Sequence, residues 1–290
     1  MSEVQEIEEL VAGVAAGAGP KVVGIGRFGS GVVIGDGQIL TNAHVVRGEQ
    51  VHVTFADGRA ESGTVAGLDA EGDLAVISAD TGGVEPVEWA GDEPGIGAAV
   101  VAVANPGGRG LRATLGFVSS AGRSFRGHRG RRRPGIEHTA PLPRGSSGSP
   151  VLDKQGRLLG INTIRLEGGL IVAVATDADL REHVQALGRG ESPSRASLGL
   201  ALAPARVARR MRHAVGLPER DGLLVRGVAE DGPAARAGIE QGDLVVGAGG
   251  VAIGGIDDLY DQLDSRAPGA ALELELVRGT EERKVEVTLG

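Results

Sequence analysis

Val4, Ile7, Leu10, Val11 and Val14 recur at three- and four-residue spacing with Glu3, Glu6, Glu8 and Glu9 among them, which predicts an amphipathic helix that Gly17-Ala18-Gly19-Pro20 stops. From Lys21 to about Ala175 the pattern shortens to Val/Ile/Leu-rich runs cut by Asp36-Gly37, Asp57-Gly58, Gly82-Gly83, Pro106-Gly107 and Gln155-Gly156. Short apolar runs separated by glycine turns predict an antiparallel barrel or sandwich rather than alternating βαβ units. Residues 177–187 read as a closing helix. The polar, Pro-containing stretch that follows reads as a linker. Beyond it, Pro233 and Gly238 bracket a short helix, Ile256, Leu259, Tyr260 and Leu263 share one face of a second, and 271–276 and 284–289 alternate as strands. The organisation read from these patterns is an N-terminal helical extension (1–20), a first β domain (21–187), a linker (188–196) and a second domain (197–290).

Composition narrows the picture. A chain of 290 residues suits about two domains. Cysteine is absent, so this is not a disulfide scaffold. The 50 glycines have no three-residue period and sit between apolar runs, as turns do. A formal charge of −8 and an aromatic content of 2% argue against a nucleic-acid partner, leaving no net positive charge and few aromatic rings for bases to stack on. No run of about 18 apolar residues is present to span a bilayer, and the first residues are acidic rather than those of a leader. The expected location is therefore cytoplasmic, with export or membrane anchoring of a longer precursor as the alternative.

Three segments bear on chemistry: Thr41-Asn42-Ala43-His44-Val45-Val46, Gly72-Asp73-Leu74-Ala75-Val76 and Gly145-Ser146-Ser147-Gly148-Ser149-Pro150. A serine hydroxyl becomes a useful nucleophile when a base takes its proton, and that base needs an acceptor on its other nitrogen to fix the tautomer. Ser147, His44 and Asp73 fit these roles in the His, Asp, Ser chain order of chymotrypsin-type enzymes. Ser146 and Ser149 compete with Ser147, and Asp69 and Asp80 with Asp73. Ser147 is set apart by a glycine two residues before and another directly after. Its own N–H and that of Gly145 can then converge on an oxyanion.

With these segments in view the chain resembles the HtrA/Deg-type serine proteases, which join a chymotrypsin-fold domain to C-terminal PDZ domains. The resemblance is carried by Gly29-Ser30-Gly31-Val32-Val33-Ile34, by 36–46, by 69–76, by Ala104-Asn105-Pro106-Gly107, by Gly116-Phe117-Val118-Ser119-Ser120 and by Leu159-Gly160-Ile161-Asn162-Thr163. It implies a mainly β fold of two antiparallel six-stranded barrels followed by a small α+β PDZ domain. It also implies an ATP-independent endopeptidase acting on unfolded or damaged proteins, without a cofactor or metal, in a homotrimer. Ser147 would be nucleophile, His44 base and acid, Asp73 orienter, and Gly145 and Ser147 oxyanion donors. Leu142, Asn162, Thr163 and Ile164 would line the pocket for the residue before the cut and favour small aliphatic side chains. Leu198, Gly199 and Leu200, in Ser197-Leu198-Gly199-Leu200, would hold a peptide carboxylate, with Leu259 and Leu263 against its last side chain. Where the family usually has Asn-Pro-Gly-Asn-Ser-Gly-Gly-Pro, this chain has Pro143-Arg144-Gly145-Ser146-Ser147-Gly148-Ser149-Pro150. A non-catalytic peptide-binding scaffold or chaperone-like protein is the rival reading.

The remaining motifs carry less. Gly24-Ile25-Gly26-Arg27-Phe28-Gly29 spells the dinucleotide fingerprint, but a strand-like Ser30–Ile34 follows where a helix is needed, so a hairpin is expected and an oxidoreductase is not. The six histidines show no metal-type spacing. Arg123, Arg126, Arg129, Arg131, Arg132 and Arg133 with His128 read as a solvated loop, at the place of the family's activation loop. Arg206, Arg209, Arg210, Arg212 and His213 read as a solvated helix face.

Overall fold

Several strands in the first part of the chain are apolar on both faces because each face is buried against something different. In the computed structural model, which describes residues 2–126, 132–191 and 196–290, two compact units are present, 1–193 and 194–290. After helix α1 (Glu3–Ala18) come β1 (Val22–Ile25), β2 (Gly29–Gly35), β3 (Gln38–Thr41), β4 (Gln50–Thr54), β5 (Ala60–Asp69) and β6 (Leu74–Ser78), closed into a barrel in the order β1-β2-β3-β6-β5-β4. Then β7 (Ala99–Ala104), β8 (Arg112–Arg126), β9 (Arg132–His138), β10 (Pro150–Leu152), β11 (Leu158–Arg165) and β12 (Ile171–Ala175) close a second barrel in the order β10-β11-β12-β9-β8-β7. Every pairing is antiparallel.

The period-two alternation of a strand sorts these residues. Val23, Ile25, Val33, Ile39 and Val53 fill the first barrel. Their neighbours Val22, Val32, Leu40, Leu74 and Val76 instead join Val101, Val103, Leu152, Leu158 and Ile161 of the second barrel in one cluster between the two. Burying each such side chain stabilises by about 1.5–3 kcal/mol, so the layer between the barrels is itself a core. Val14 and Ala18 of α1 belong to that layer, as do Leu180, Val184 and Leu187 of α2 (Ala178–Gly188). Helix α1 opens on a capping box of Ser2 and Gln5, and α2 on Asp177, whose carboxylate accepts from Leu180 N at 2.6 Å.

The fingerprint glycines lie in the β1–β2 hairpin, with Gly24 opposite Ser30. A Cβ on Gly24 would sit 1.9 Å from the Gly108 nitrogen, so this glycine serves a close backbone approach. The described part of the arginine-rich segment is strand: β8 and β9 pair out to Arg126 and Arg132. His128, Arg129 and Arg131 lie outside the described residues.

The second unit is a sheet of β13 (Leu200–Ala203), β14 (Leu223–Val228), β15 (Leu244–Ala248), β16 (Val251–Ala252), β17 (Ala271–Arg278) and β18 (Glu281–Thr288), ordered β13-β14-β15-β17-β18 with β16 on β15. Helices α3 (Ala205–Ala214), α4 (Pro233–Arg236) and α5 (Ile256–Asp264) accompany it. Its core gathers Leu198, Leu223, Val225, Leu259, Leu263, Leu274 and Leu276. One residue of the α3 basic face departs from the solvated expectation. Arg212 is buried and donates from its guanidinium to the carbonyls of Pro218 and Gly279, both at 3.1 Å, tying two turns together.

Candidate active site

Asp73 sits at the start of β6 in the left-handed region, at φ 56°, a conformation that costs a residue with a Cβ and points its carboxylate back toward the end of β3. The side-chain amide of Asn42 holds the Asp73 carbonyl at 3.0 Å. His44, in the turn Ala43–Val45, donates its backbone N–H to Asp73 Oδ1 at 3.0 Å, and its Nδ1 lies 2.8 Å from both carboxylate oxygens. Thr163 Oγ1 of β11 donates to Oδ2 at 2.7 Å. Burial of Asp73 opposes its charge, but the hydrogen bonds from His44 and Thr163 outweigh it and hold the carboxyl below the ordinary aspartate range. With a carboxylate on Nδ1, the proton is assigned there and Nε2 is left as the basic nitrogen.

The competing aspartates are occupied elsewhere. Asp69 is buried and takes Arg133 at 2.5 Å, His183 Nε2 at 2.9 Å and the Gly72 N–H at 2.8 Å. Arg133, expected in a solvated loop, is instead folded onto the turn that precedes Asp73. Asp80 closes its own turn by accepting from Gly82 N at 2.8 Å.

The competing serines are engaged too. Ser146 is buried and donates to the Pro143 carbonyl at 2.9 Å, and Ser149, fully buried, accepts from the Asn162 amide at 3.0 Å. Ser147 lies between them and lines a cleft. Its carbonyl accepts from Ser30 N at 2.9 Å, and the Ser30 hydroxyl donates to the Gly145 carbonyl at 3.1 Å, so β2 of the first barrel staples a loop of the second. Gly145 has φ 91° and Gly148 φ 86°. A Cβ on Gly148 would fall 2.1 Å from the Ser30 carbonyl oxygen and 2.2 Å from Thr41 Oγ1, so glycine is required there by both torsion and space.

The cleft has a volume of about 290 Å³ and is walled by Leu142, Gly145, Ser147, Asn162, Thr163, Ile164 and Ile171, among others. All four residues expected in the pocket border it, although the side chains of Asn162 and Thr163 are committed to Ser149 and Asp73. Arg165, also on the wall, spends its guanidinium on the Leu142 carbonyl. In the second unit, Leu198 to Leu200 lead into β13 at one end of the sheet order, with Gly199 at φ 68°. The Leu198 and Gly199 carbonyls are used internally by Ala234 N (3.0 Å) and Ala229 N (2.9 Å). Leu259 and Leu263 are buried in the core beside Leu198. Two contributors escaped the sequence reading of the site. The orienting role of Thr163 and the stapling role of Ser30 depend on bonds across 90 and 115 residues of sequence. For Ser30 the trace was Gly29-Ser30-Gly31, small residues where two backbones approach.

A hydroxyl on a glycine-flanked turn, with an imidazole whose partner is a buried carboxylate, on the seam of two six-stranded barrels, defines a trypsin-like peptidase architecture. Comparison agrees: residues 29–161 match the trypsin-like peptidase domain family and 197–289 the PDZ domain family. The chain is 34% identical over 284 residues to the putative serine protease HhoA of Synechocystis, covering 93% of this chain and 72% of that one. It is 33% identical over 272 residues to a probable periplasmic serine endoprotease, DegP-like, of Halomonas elongata, covering 91% of this chain but 56% of the relative. The solved HtrA-type protease AlgW with a decapeptide superposes with a TM-score of 0.67 at 25% identity, over 97% of this chain and 98% of that one. The chain belongs to the HtrA/Deg family of serine endoproteases. The cytoplasmic expectation is overturned by the same comparison, because the Halomonas relative is named as periplasmic. Among the described residues no helix is long and apolar enough to cross a membrane.

Proposed function

We propose that this chain is an exported endopeptidase that cuts unfolded or damaged polypeptides without ATP. The observation that carries the reading is the Asp73–His44 pair, doubly bonded at 2.8 Å and buttressed by Thr163, on the same seam as Ser147. Ser147 Oγ attacks the scissile carbonyl carbon as His44 Nε2 takes its proton. The N–H groups of Gly145 and Ser147 stabilise the oxyanion. His44 then gives that proton to the leaving amine, and the acyl-enzyme forms. Water, deprotonated by His44, releases the acid and restores the serine. The protease domain is assigned to 21–187, the linker to 188–196 and the PDZ domain to 197–290.

The cleft supports small aliphatic residues before the cut, because Leu142, Ile164 and Ile171 face a modest volume and the described walls carry no carboxylate to attract Lys or Arg. Digestion of unfolded casein and mass-spectrometric mapping of the products should place most cuts after Val, Ala or a similar side chain. A majority after Lys, Arg or large aromatics would refute the pocket assignment.

The edge position of β13 supports peptide capture by strand addition, with the N–H groups of Leu198, Gly199 and Leu200 facing the terminal carboxylate. A full-length Ser147→Ala chain should bind an apolar peptide with a free C-terminus at least tenfold more tightly than its amidated form. Equal affinities would reject the carboxylate loop.

A further inference from the structure

His138, at the end of β9, is fully buried, and both of its ring nitrogens are engaged. Ala140 N–H donates to Nδ1 at 3.2 Å, so Nδ1 is the acceptor and the proton resides on Nε2. Nε2 lies 2.7 Å from Asn162 Oδ1, which leaves one arrangement of that amide: its oxygen accepts from His138 and its nitrogen points away. That nitrogen donates to the Ser149 carbonyl at 3.1 Å and to the Ser149 hydroxyl at 3.0 Å. The backbone completes the clamp, with Gly148 N donating to Asn162 O at 2.8 Å and Asn162 N donating to Ser149 O at 2.9 Å. Burial holds the imidazole below its ordinary range, so it is neutral, as this pattern requires.

We infer that His138 is a positioning residue for the nucleophile turn, acting through Asn162 on Gly148-Ser149 and so on the placement of Ser147. The inference rests on the endopeptidase reading above. An amide has no intrinsic preference for which end faces Ser149. Reversed, it would set its oxygen against the Ser149 carbonyl oxygen and its N–H groups against the His138 Nε2–H, so a donor on the far side fixes the same orientation that the Ser149 carbonyl favours. His138 supplies that donor from a fully buried position. Ser149 adds a second anchor through its hydroxyl, at a position where glycine would give only its carbonyl. The residues either side of Ser147 are thus fixed independently: Gly145 by Ser30, Gly148 and Ser149 by Asn162 and His138.

The test exploits two uncharged replacements. In His138→Gln the amide nitrogen lies near the former Nε2 and can still donate to Asn162. In His138→Asn the amide reaches only the former Nδ1 position, satisfying Ala140 and leaving Asn162 without its donor. With a quenched peptide carrying Val before the cut, His138→Asn should lower kcat about 10- to 100-fold, the loss expected of an ångström-scale misplacement. Its KM should stay within about threefold, because β11 keeps its pairing with β12 and the cleft wall stands. His138→Gln should recover kcat to within about threefold of wild type. Ser149→Ala, which removes one anchor and cannot fail for want of a buried ring, should lower kcat a few-fold. Combined with His138→Asn it should cost less than the product of the two single losses. Equal kcat in the Asn and Gln variants, or multiplicative losses in the double variant, would overturn the positioning role while wild type remains active. Wild-type turnover no higher than that of Ser147→Ala would contradict the endopeptidase reading instead.

Discussion

Replacing Ser147 by alanine should lower kcat on an unfolded protein by about 10⁴–10⁶, and His44→Ala by a similar factor. The two losses should not multiply, because neither group accelerates the reaction without the other. Ser146→Ala and Ser149→Ala should be far milder. Ser146 gives its hydroxyl to Pro143 within its own loop, and Ser149 is fully buried and accepts from Asn162. Steady-state assays on casein, with circular dichroism to confirm folding, check all four. Loss in Ser146→Ala as deep as in Ser147→Ala, with both folded, would reassign the nucleophile.

The second large effect belongs to Asp73. Asp73→Asn keeps the shape but sets an amide against His44 Nδ1, where a donor would favour the wrong tautomer; kcat should fall about 10⁴-fold with little change in KM. Stability should also respond, with a definite sign. The Asp73 carboxyl is held below its unfolded-state value, so the folded state binds its proton less readily. The stabilisation from its His44 and Thr163 bonds is present above the ordinary aspartate range and is lost as pH falls through the depressed folded value. Comparing thermal unfolding of wild type and Asp73→Asn should therefore show a gap at neutral pH that closes on acidification. A gap independent of pH down to strongly acidic conditions would contradict the ionised state assigned here.

Much of this was legible in the residues, for identifiable reasons. Short apolar runs such as Val22-Val23, Val32-Val33 and Ile39-Leu40 between glycine turns pointed to an antiparallel barrel or sandwich, the family resemblance implied two six-stranded barrels, and both faces of those runs are covered. The site was legible because its chemistry needs a few residue types with glycine at strained turns, and Gly145 and Gly148 are where the torsions demand them. What stayed hidden depends on partners distant in sequence. An arginine in a basic run looks solvated until folding brings to it an Asp69 that lies 64 positions away in sequence, as happens to Arg133. Arg212 is misread for the same reason, its acceptors being carbonyls of turns that local pattern does not reveal. The family resemblance implied Thr163 and Asn162 as pocket walls, while their side-chain bonds hold Asp73 and Ser149. Location was not legible in this way, since nothing in a folded core depends on the compartment.

The most direct measurement is reaction of the wild-type chain with a fluorophosphonate, followed by peptide mapping of the adduct, beside His44→Ala. The hydroxyl that the probe captures is the one activated by the base. A single adduct on Ser147 is expected, with labelling slowed by at least about 10³-fold in His44→Ala. An adduct on Ser146 or Ser149, or labelling of Ser147 at the same rate without His44, would contradict that expectation.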